Sequence, residues 1–310
     1  MKKFILRIFT FIIFSSLFYV IFTFVWGSFV PSILKPNINY KLGSPGHTYS
    51  RLSEVKKVKD VDILFLGSSH TYRGFDTRIF AKYGLKTFNL GSSSQTPTQT
   101  KVLLNRYLNE LNPKIVILEV YPITFSLDGV ESSLDILAND KNDIHSLKMA
   151  LKTNNIKTYN TLLYGWTRDL FNLNSAFVED EDKGHDHYVS GGYVEKDIEY
   201  FSPEPFDKKK IIITDFQLKE FSEIVELIKN NNRELILIYA PIPPVNYNSF
   251  KNSSYFDSLM SQYAPYYNFN EIQSFNDSLH FYDTHHLNQM GVELFNKKVI
   301  ETLPIRDIAN

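Results

Sequence analysis

An α/β domain with a parallel sheet of about five strands, preceded by one N-terminal transmembrane helix, is the fold class predicted by the 310-residue sequence. Three observations carry this reading. Short apolar, β-favouring runs alternate with longer segments whose apolar residues recur at helical spacing. That rhythm belongs to strands joined by right-handed crossovers into a parallel sheet. The runs also stop abruptly at glycine, proline or small polar residues, as buried strands do where they meet turns. Finally, Ile8 to Trp26 is nearly unbroken apolar sequence, interrupted only by Thr10, Ser15, Ser16 and Thr23. At 1.5 Å per residue that run spans roughly 28 Å, close to the hydrocarbon thickness of a bilayer.

Taken in order, the chain opens with Lys2, Lys3 and Arg7 before the apolar run, and no basic residue follows until Lys35. The positive-inside rule then keeps the amino terminus in the cytoplasm and exports the rest. A cleaved signal peptide has a shorter hydrophobic region and a small-residue cleavage site. Trp26-Gly-Ser-Phe-Val-Pro31 lacks one, so an uncleaved anchor over residues 1–27 is expected. Residues 28–54 contain Pro31, Pro36, Pro45, Gly43 and Gly46 with little periodicity, and read as a linker or ordered arm.

The main domain is expected over residues 55–310. Val61 to Leu66 is a first strand, ending in Gly67-Ser68-Ser69-His70, and Phe75–Lys82 is a short helix. Leu85–Gly91 is a second strand, Thr96–Leu111 a helix stopped by Pro113, and Lys114–Tyr121 a third, central strand. Residues 128–205 are irregular and read as an insertion covering the sheet edge. They include helices over Ile144–Lys152 and Ile156–Phe171, then a charge run from Glu179 to Lys183 read as solvated surface. Asp215–Asn231 is an amphipathic helix and Glu234–Ala240 a fourth strand. Tyr255–Tyr263 is read as a helix, Leu279–Tyr282 as a fifth strand, and Gly291–Leu303 as a closing helix.

Composition narrows the function. A net charge of -1 gives no electrostatic footprint for nucleic acid. Cysteine is absent, which removes disulfides, thiolate metal sites and a cysteine nucleophile, and suits an exported chain with a sizeable core. Asp283 and His286 are three residues apart at a strand end, where the carboxylate can fix the imidazole tautomer and leave Nε2 as a base. Ser68 and Ser69 end the first strand. In a doubly wound sheet both clusters fall on one carboxyl edge although more than 200 residues separate them. His185 and His187 flank Asp186, but no third ligand accompanies them, so a polar loop is expected there and no metal site.

The pattern Gly67-Ser68-Ser69, Asn89-Leu-Gly91 and Asp283-Thr-His-His286 resembles the sequence blocks of SGNH (GDSL-type) hydrolases, over roughly residues 58–126 and 210–303. The resemblance implies a flavodoxin-like three-layer α/β/α fold. It makes Ser69 the nucleophile, His286 its base and Asp283 the orienting acid, with the N–H groups of Ser69 and Gly91 as oxyanion donors. That family's third block usually supplies an asparagine donor, whereas this chain has Leu118-Glu-Val-Tyr-Pro122. Losing one such donor typically costs about 10²–10³ in rate. Asn139 and Asn160 are possible replacements from the insertion. Arg73, His70 and Glu119 are expected to contact substrate, and Arg73 could instead pair with Asp76 or Glu119.

The first block and the anchor also resemble exported SGNH-like proteins of acyl transfer to envelope polymers, including the D-alanyl transfer protein of teichoic acid modification and the acetyltransferases of alginate assembly. These resemblances imply a single-pass protein of the cytoplasmic membrane with its domain facing the periplasm or exterior. It would act without a cofactor on an acylated glycan or glycolipid, as an esterase or O-acyltransferase through acyl-serine chemistry. A polytopic membrane acyltransferase is an expected partner. The alternative is an eroded domain that binds polysaccharide or docks such an acyltransferase.

Overall fold

In the computed structural model, which describes residues 1–305, the strands are β1 (Ile63–Leu66), β2 (Thr87–Asn89), β3 (Ile115–Glu119), β4 (Asp182–Lys183), β5 (Asp186–Val189), β6 (Tyr193–Lys196), β7 (Glu234–Tyr239) and β8 (Tyr266–Asn268). Five of them form one parallel sheet in the order β2-β1-β3-β7-β8. This is the doubly wound order of flavodoxin-like folds, in which the chain reverses direction across the sheet between β1 and β3.

Side-chain alternation builds the three layers. Leu64, Leu66, Val116, Leu118 and Leu237 join Leu104, Leu108, Ile224 and Ile228 in one core, under the helices Pro97–Leu111 and Asp215–Asn230. Ile63, Phe65, Ile117, Ile236 and Ile238 join Phe80, Phe295 and Val299 in the other, under the helix Gln289–Thr302. A strand covered on both faces has no polar side, which is why these strands read as continuous apolar runs.

The fifth strand is not where the sequence put it. It is Tyr266–Asn268, in register with Leu237–Tyr239, and Leu237 N–H donates to the Pro265 carbonyl. The expected strand at Leu279–Tyr282 instead contributes to a helical turn, Asp277–His280, and an isolated bridge between Phe281 and Leu287. The Asn276 side chain accepts from the N–H groups of Ser278 and Leu279 and turns the chain there. Leu279 is left exposed while Phe281 is buried.

The insertion supplies three helices, Val130–Asn139, Ile144–Thr153 and Ile156–Leu170, then the antiparallel sheet β4-β5-β6. The charge run is only partly solvated. Glu179 is buried and accepts from Ser50 N–H, Ser50 Oγ and Lys183 Nζ.

Ahead of the sheet, Lys2–Phe29 is a single apolar helix, and residues 30–54 lie against the insertion. Asn39 N–H donates to Thr161 Oγ1 at 3.0 Å, and Gly43 N–H to Asn139 Oδ1 at 2.8 Å. Within the short helix Thr48–Glu54, Arg51 is fully buried and donates to the carbonyls of Gly192 at 2.9 Å and Gly46 at 2.8 Å.

Candidate active site

The carboxyl end of β1 breaks sharply at Gly67, whose φ of +139° is a conformation L side chains rarely adopt. A Cβ there would lie 2.5 Å from Thr71 Oγ1 and 2.8 Å from Glu119 Cβ, so only glycine fits. Ser68 then caps the short helix Ser69–Gly74, its Oγ accepting from His70 N–H at 3.3 Å. Ser69 opens this helix and faces the cleft. Its N–H has no acceptor among the described residues.

More than 200 residues later, Asp283 Oδ1 accepts from the N–H groups of His285 and His286, both at 2.8 Å, and its other oxygen lies 2.8 Å from His286 Nδ1. His286 Nε2 lies 2.8 Å from Ser69 Oγ. The structure therefore joins Ser69, His286 and Asp283 in one continuous hydrogen-bonded chain. Burial opposes ionisation of Asp283. The hydrogen bond and charge of His286, helped by His285, outweigh it and hold the carboxyl well below its ordinary range. Burial next to His286 pushes His285 down to about 4. Asp283, His285 and His286 could group their donors within 4.8 Å of one another. Both ring nitrogens of His286, however, are already committed, to Asp283 and to Ser69.

Beneath the Ser68–Ser69 turn lies a second, buried set of polar groups. Ser68 Oγ is 3.0 Å from Glu119 Oε2 and 3.1 Å from His70 Nδ1, while His70 Nε2 is 2.7 Å from the His285 carbonyl. A carbonyl only accepts, so His70 Nε2 carries a hydrogen. Burial and the neighbouring His286 and His285 hold His70 far below its ordinary pKa, so the ring is neutral and Nδ1 accepts from Ser68 O–H. Ser68 then has no hydrogen left for Glu119, and the carboxyl must hold its own. Burial raises Glu119 to about 8, in keeping with that assignment, and no charged side chain offsets it. The end of β3, the Ser68–Ser69 turn and the histidine loop are thus tied by neutral hydrogen bonds.

The cleft at this edge has a volume of about 450 Å³. Ser69, Tyr72, Arg73, Asp283, His285 and His286 line it from the sheet domain. Glu131, Lys183, His185, Asp186 and Lys196 line it from the insertion. Tyr282 stacks on the His286 ring at 5.4 Å and 10°.

Several expected site residues stand elsewhere. Glu119 and His70 are buried below the turn, not in the cleft. Arg73 lines the cleft but is held bidentately by Asp186, at 2.9 and 2.7 Å, rather than by Asp76 or Glu119. Asp76 pairs with Arg78. Asn139 binds Asp135 and the arm, and Asn160 accepts from Tyr19, so neither replaces the missing asparagine. His187 bridges Asp182 and Asp197 on the β4-β5-β6 sheet, and those contacts raise it to about 9.

Gly91 N–H is directed at Asn89 Oδ1 (3.1 Å), so the oxyanion role expected of it does not match its geometry. A Cβ on Gly91 would lie 2.8 Å from Thr71 Cβ and 2.9 Å from the Ser68 carbonyl. Its glycine therefore serves close packing against the turn after β1. The residues of this turn that line the cleft are Ser93 and Ser94. Their backbone N–H groups have no acceptor among the described residues, and Ser94 has a φ of +50°. The run of three serines after Gly91 is the sequence signal for that turn, but nothing local says which N–H faces Ser69.

No protein-family model matches the chain, and no curated protein matches it either. Among solved structures it is similar in chain path to a candidate acylhydrolase from Bacteroides fragilis, with 12% identity, a TM-score of 0.42, and coverage of 86% of this chain and 99% of that one. It is also similar to a GDSL-like lipase from Bacteroides thetaiotaomicron, with 12% identity, a TM-score of 0.38, and coverage of 83% of this chain and 98% of that one.

Proposed function

We propose that this chain is a membrane-anchored SGNH-type serine esterase or O-acyltransferase acting on an acylated envelope glycan or glycolipid. The observation that carries the reading is the chain of contacts from Ser69 Oγ through His286 to Asp283, at 2.8 Å each. Ser69 Oγ attacks the acyl carbonyl carbon while His286 Nε2 takes its proton, and Asp283 stabilises the imidazolium. The N–H of Ser69 and the backbone of the Ser93–Ser94 turn hold the oxyanion. Collapse of the tetrahedral intermediate leaves acyl-Ser69 and expels the alcohol, which takes the proton from His286. Water or a glycan hydroxyl, deprotonated by His286, then attacks the acyl-serine and frees Ser69. No cofactor enters this scheme.

Residues 1–27 act as the anchor, 28–54 as the arm and 55–310 as the exported domain in this reading. The apolar Lys2–Phe29 helix is long enough to cross a bilayer, which supports it. A fluorophosphonate probe on the full chain tests the chemistry. Wild type is expected to label at Ser69, and Ser69→Ala to lose labelling and ester turnover by about three orders of magnitude or more. An unlabelled wild type would favour the polysaccharide-binding or docking alternative. Partition of acyl product between water and an added oligosaccharide separates hydrolysis from transfer.

A further inference from the structure

We infer that the helix Ile156–Leu170 is a second membrane-contacting element, sunk into the outer leaflet of the phospholipid bilayer that the N-terminal helix crosses. The inference rests on the anchor reading above and adds a lipid-facing surface on the catalytic domain. Its basis is where the two helices touch. Tyr19 O–H donates to Asn160 Oδ1 at 2.6 Å, Phe24 meets the rings of Tyr164 and Phe171 at 6.0 and 6.1 Å, and Gly27 backs against Tyr164. Thr23 and Gly27 are buried in this contact.

Tyr19 lies seven residues before Trp26, roughly 10 Å below the end of the apolar run. If the part of the anchor that touches the domain stood outside the bilayer, only Ile8–Phe18 would remain inside. Those eleven residues span roughly 16 Å, about half of a hydrocarbon layer. Thinning a bilayer by that much is costly. Keeping the anchor at full depth instead brings the Ile156–Leu170 helix down beside it.

One stripe of the surface there is apolar. Ile156, Leu163 and Leu170 recur every seven residues, so they form one stripe, about 80° round the helix from the line that touches the anchor. Ile156 is 54% exposed, Leu170 78% and the following Phe171 62%, and Phe29 and Ile33 at the anchor's end are exposed too. Arg168, the basic residue of the last turn, is stacked on the rings of Tyr40 and Tyr164, an arrangement suited to a headgroup level.

The absence of cysteine makes the test direct. Single cysteines at Phe14, Ile156, Leu170 and the exposed Ile212 would each carry an environment-sensitive nitrobenzoxadiazole label on the full chain. The labelled chains are reconstituted into phosphatidylcholine–phosphatidylglycerol vesicles containing doxyl-labelled lipid. Phe14, Ile156 and Leu170 are expected to show blue-shifted emission and quenching. Leu170 should be quenched more strongly by a shallow doxyl and Phe14 by a deep one, with Ile212 unquenched. Quenching at Phe14 with none at Ile156 or Leu170 would overturn the inference and leave the anchor intact. No quenching at Phe14 would overturn the anchor reading and this inference with it.

Discussion

At the scale of single residues, the hydrogens beneath Ser69 follow from one fixed point, the His285 carbonyl. Because it can only accept, His70, Ser68 and Glu119 fall into line, and a buried carboxyl is left neutral. The group facing Glu119 is Ser68, through its N–H and hydroxyl, with Tyr121 and Tyr239 in reach of its field. A carboxyl bound to its proton more tightly when folded contributes its full stability below its ordinary pKa of 4.5, and loses it as pH rises toward about 8. Glu119→Gln keeps a donor for Ser68 and removes the ionisation. Its unfolding free energy should therefore gain on wild type as pH rises from 5 to 8, by on the order of a few kcal/mol, while the two stay close below pH 5. A pH-independent difference in thermal unfolding would refute the neutral assignment. Asp283→Asn leaves the loop similar in shape but no longer favours the Nδ1–H tautomer of His286. The fluorophosphonate labelling rate is expected to fall by about 10⁴. Asp283 and His286 were legible from their spacing. Glu119 was not, since the sequence cannot say that a glutamate will be dry.

At the scale of elements, the turn after β1 is the most constrained segment of the site. Gly67 combines a positive φ with backbone and side-chain atoms of Glu119 and Thr71 at less than 3 Å from a Cβ position. Gly67→Ala should cost roughly 1–3 kcal/mol from backbone strain alone, with more from the clash, seen as a lower denaturant midpoint. Labelling at Ser69 should fall with it, because the turn sets the Ser69–His286 distance. An alanine variant with wild-type stability would show that the turn can relax. The strands β1, β3 and β7 were readable because burial on both faces leaves an unmistakable apolar run. The three residues of β8, Tyr266–Asn268, carry no such signal. The apolar Leu279-His-Phe-Tyr282 outcompeted them on paper, until the Asn276 cap turned that segment into a helical turn.

At the scale of the molecule, the segment 30–54 is the joint between the apolar N-terminal helix, the insertion and the sheet. Arg51 reaches Gly46 ahead of its own helix and Gly192 in the β5–β6 turn, stacks over Tyr72 of the helix Ser69–Gly74 at 4.7 Å, and is wholly buried. Removing a buried charge that satisfies several elements leaves its partners unpaired. Arg51→Ala is therefore expected to destabilise the full chain by about 3 kcal/mol or more, read from thermal unfolding. It should also raise amide exchange in both residues 43–54 and 182–196. Loosening confined to one of these segments would mean the arm is not a shared support.

By itself, the sequence determined the class of fold, the apolar N-terminal helix, and the pairing of Asp283 with His286 near the last helix. Those features are local, because burial, length and three-residue spacing leave their mark in neighbouring residues. Only the tertiary structure decided that Gly91 packs instead of facing the cleft, that Arg73 is taken by Asp186, and that the insertion walls the site. Each of these depends on a partner more than a dozen residues away or on the direction of one N–H bond. No periodicity records either.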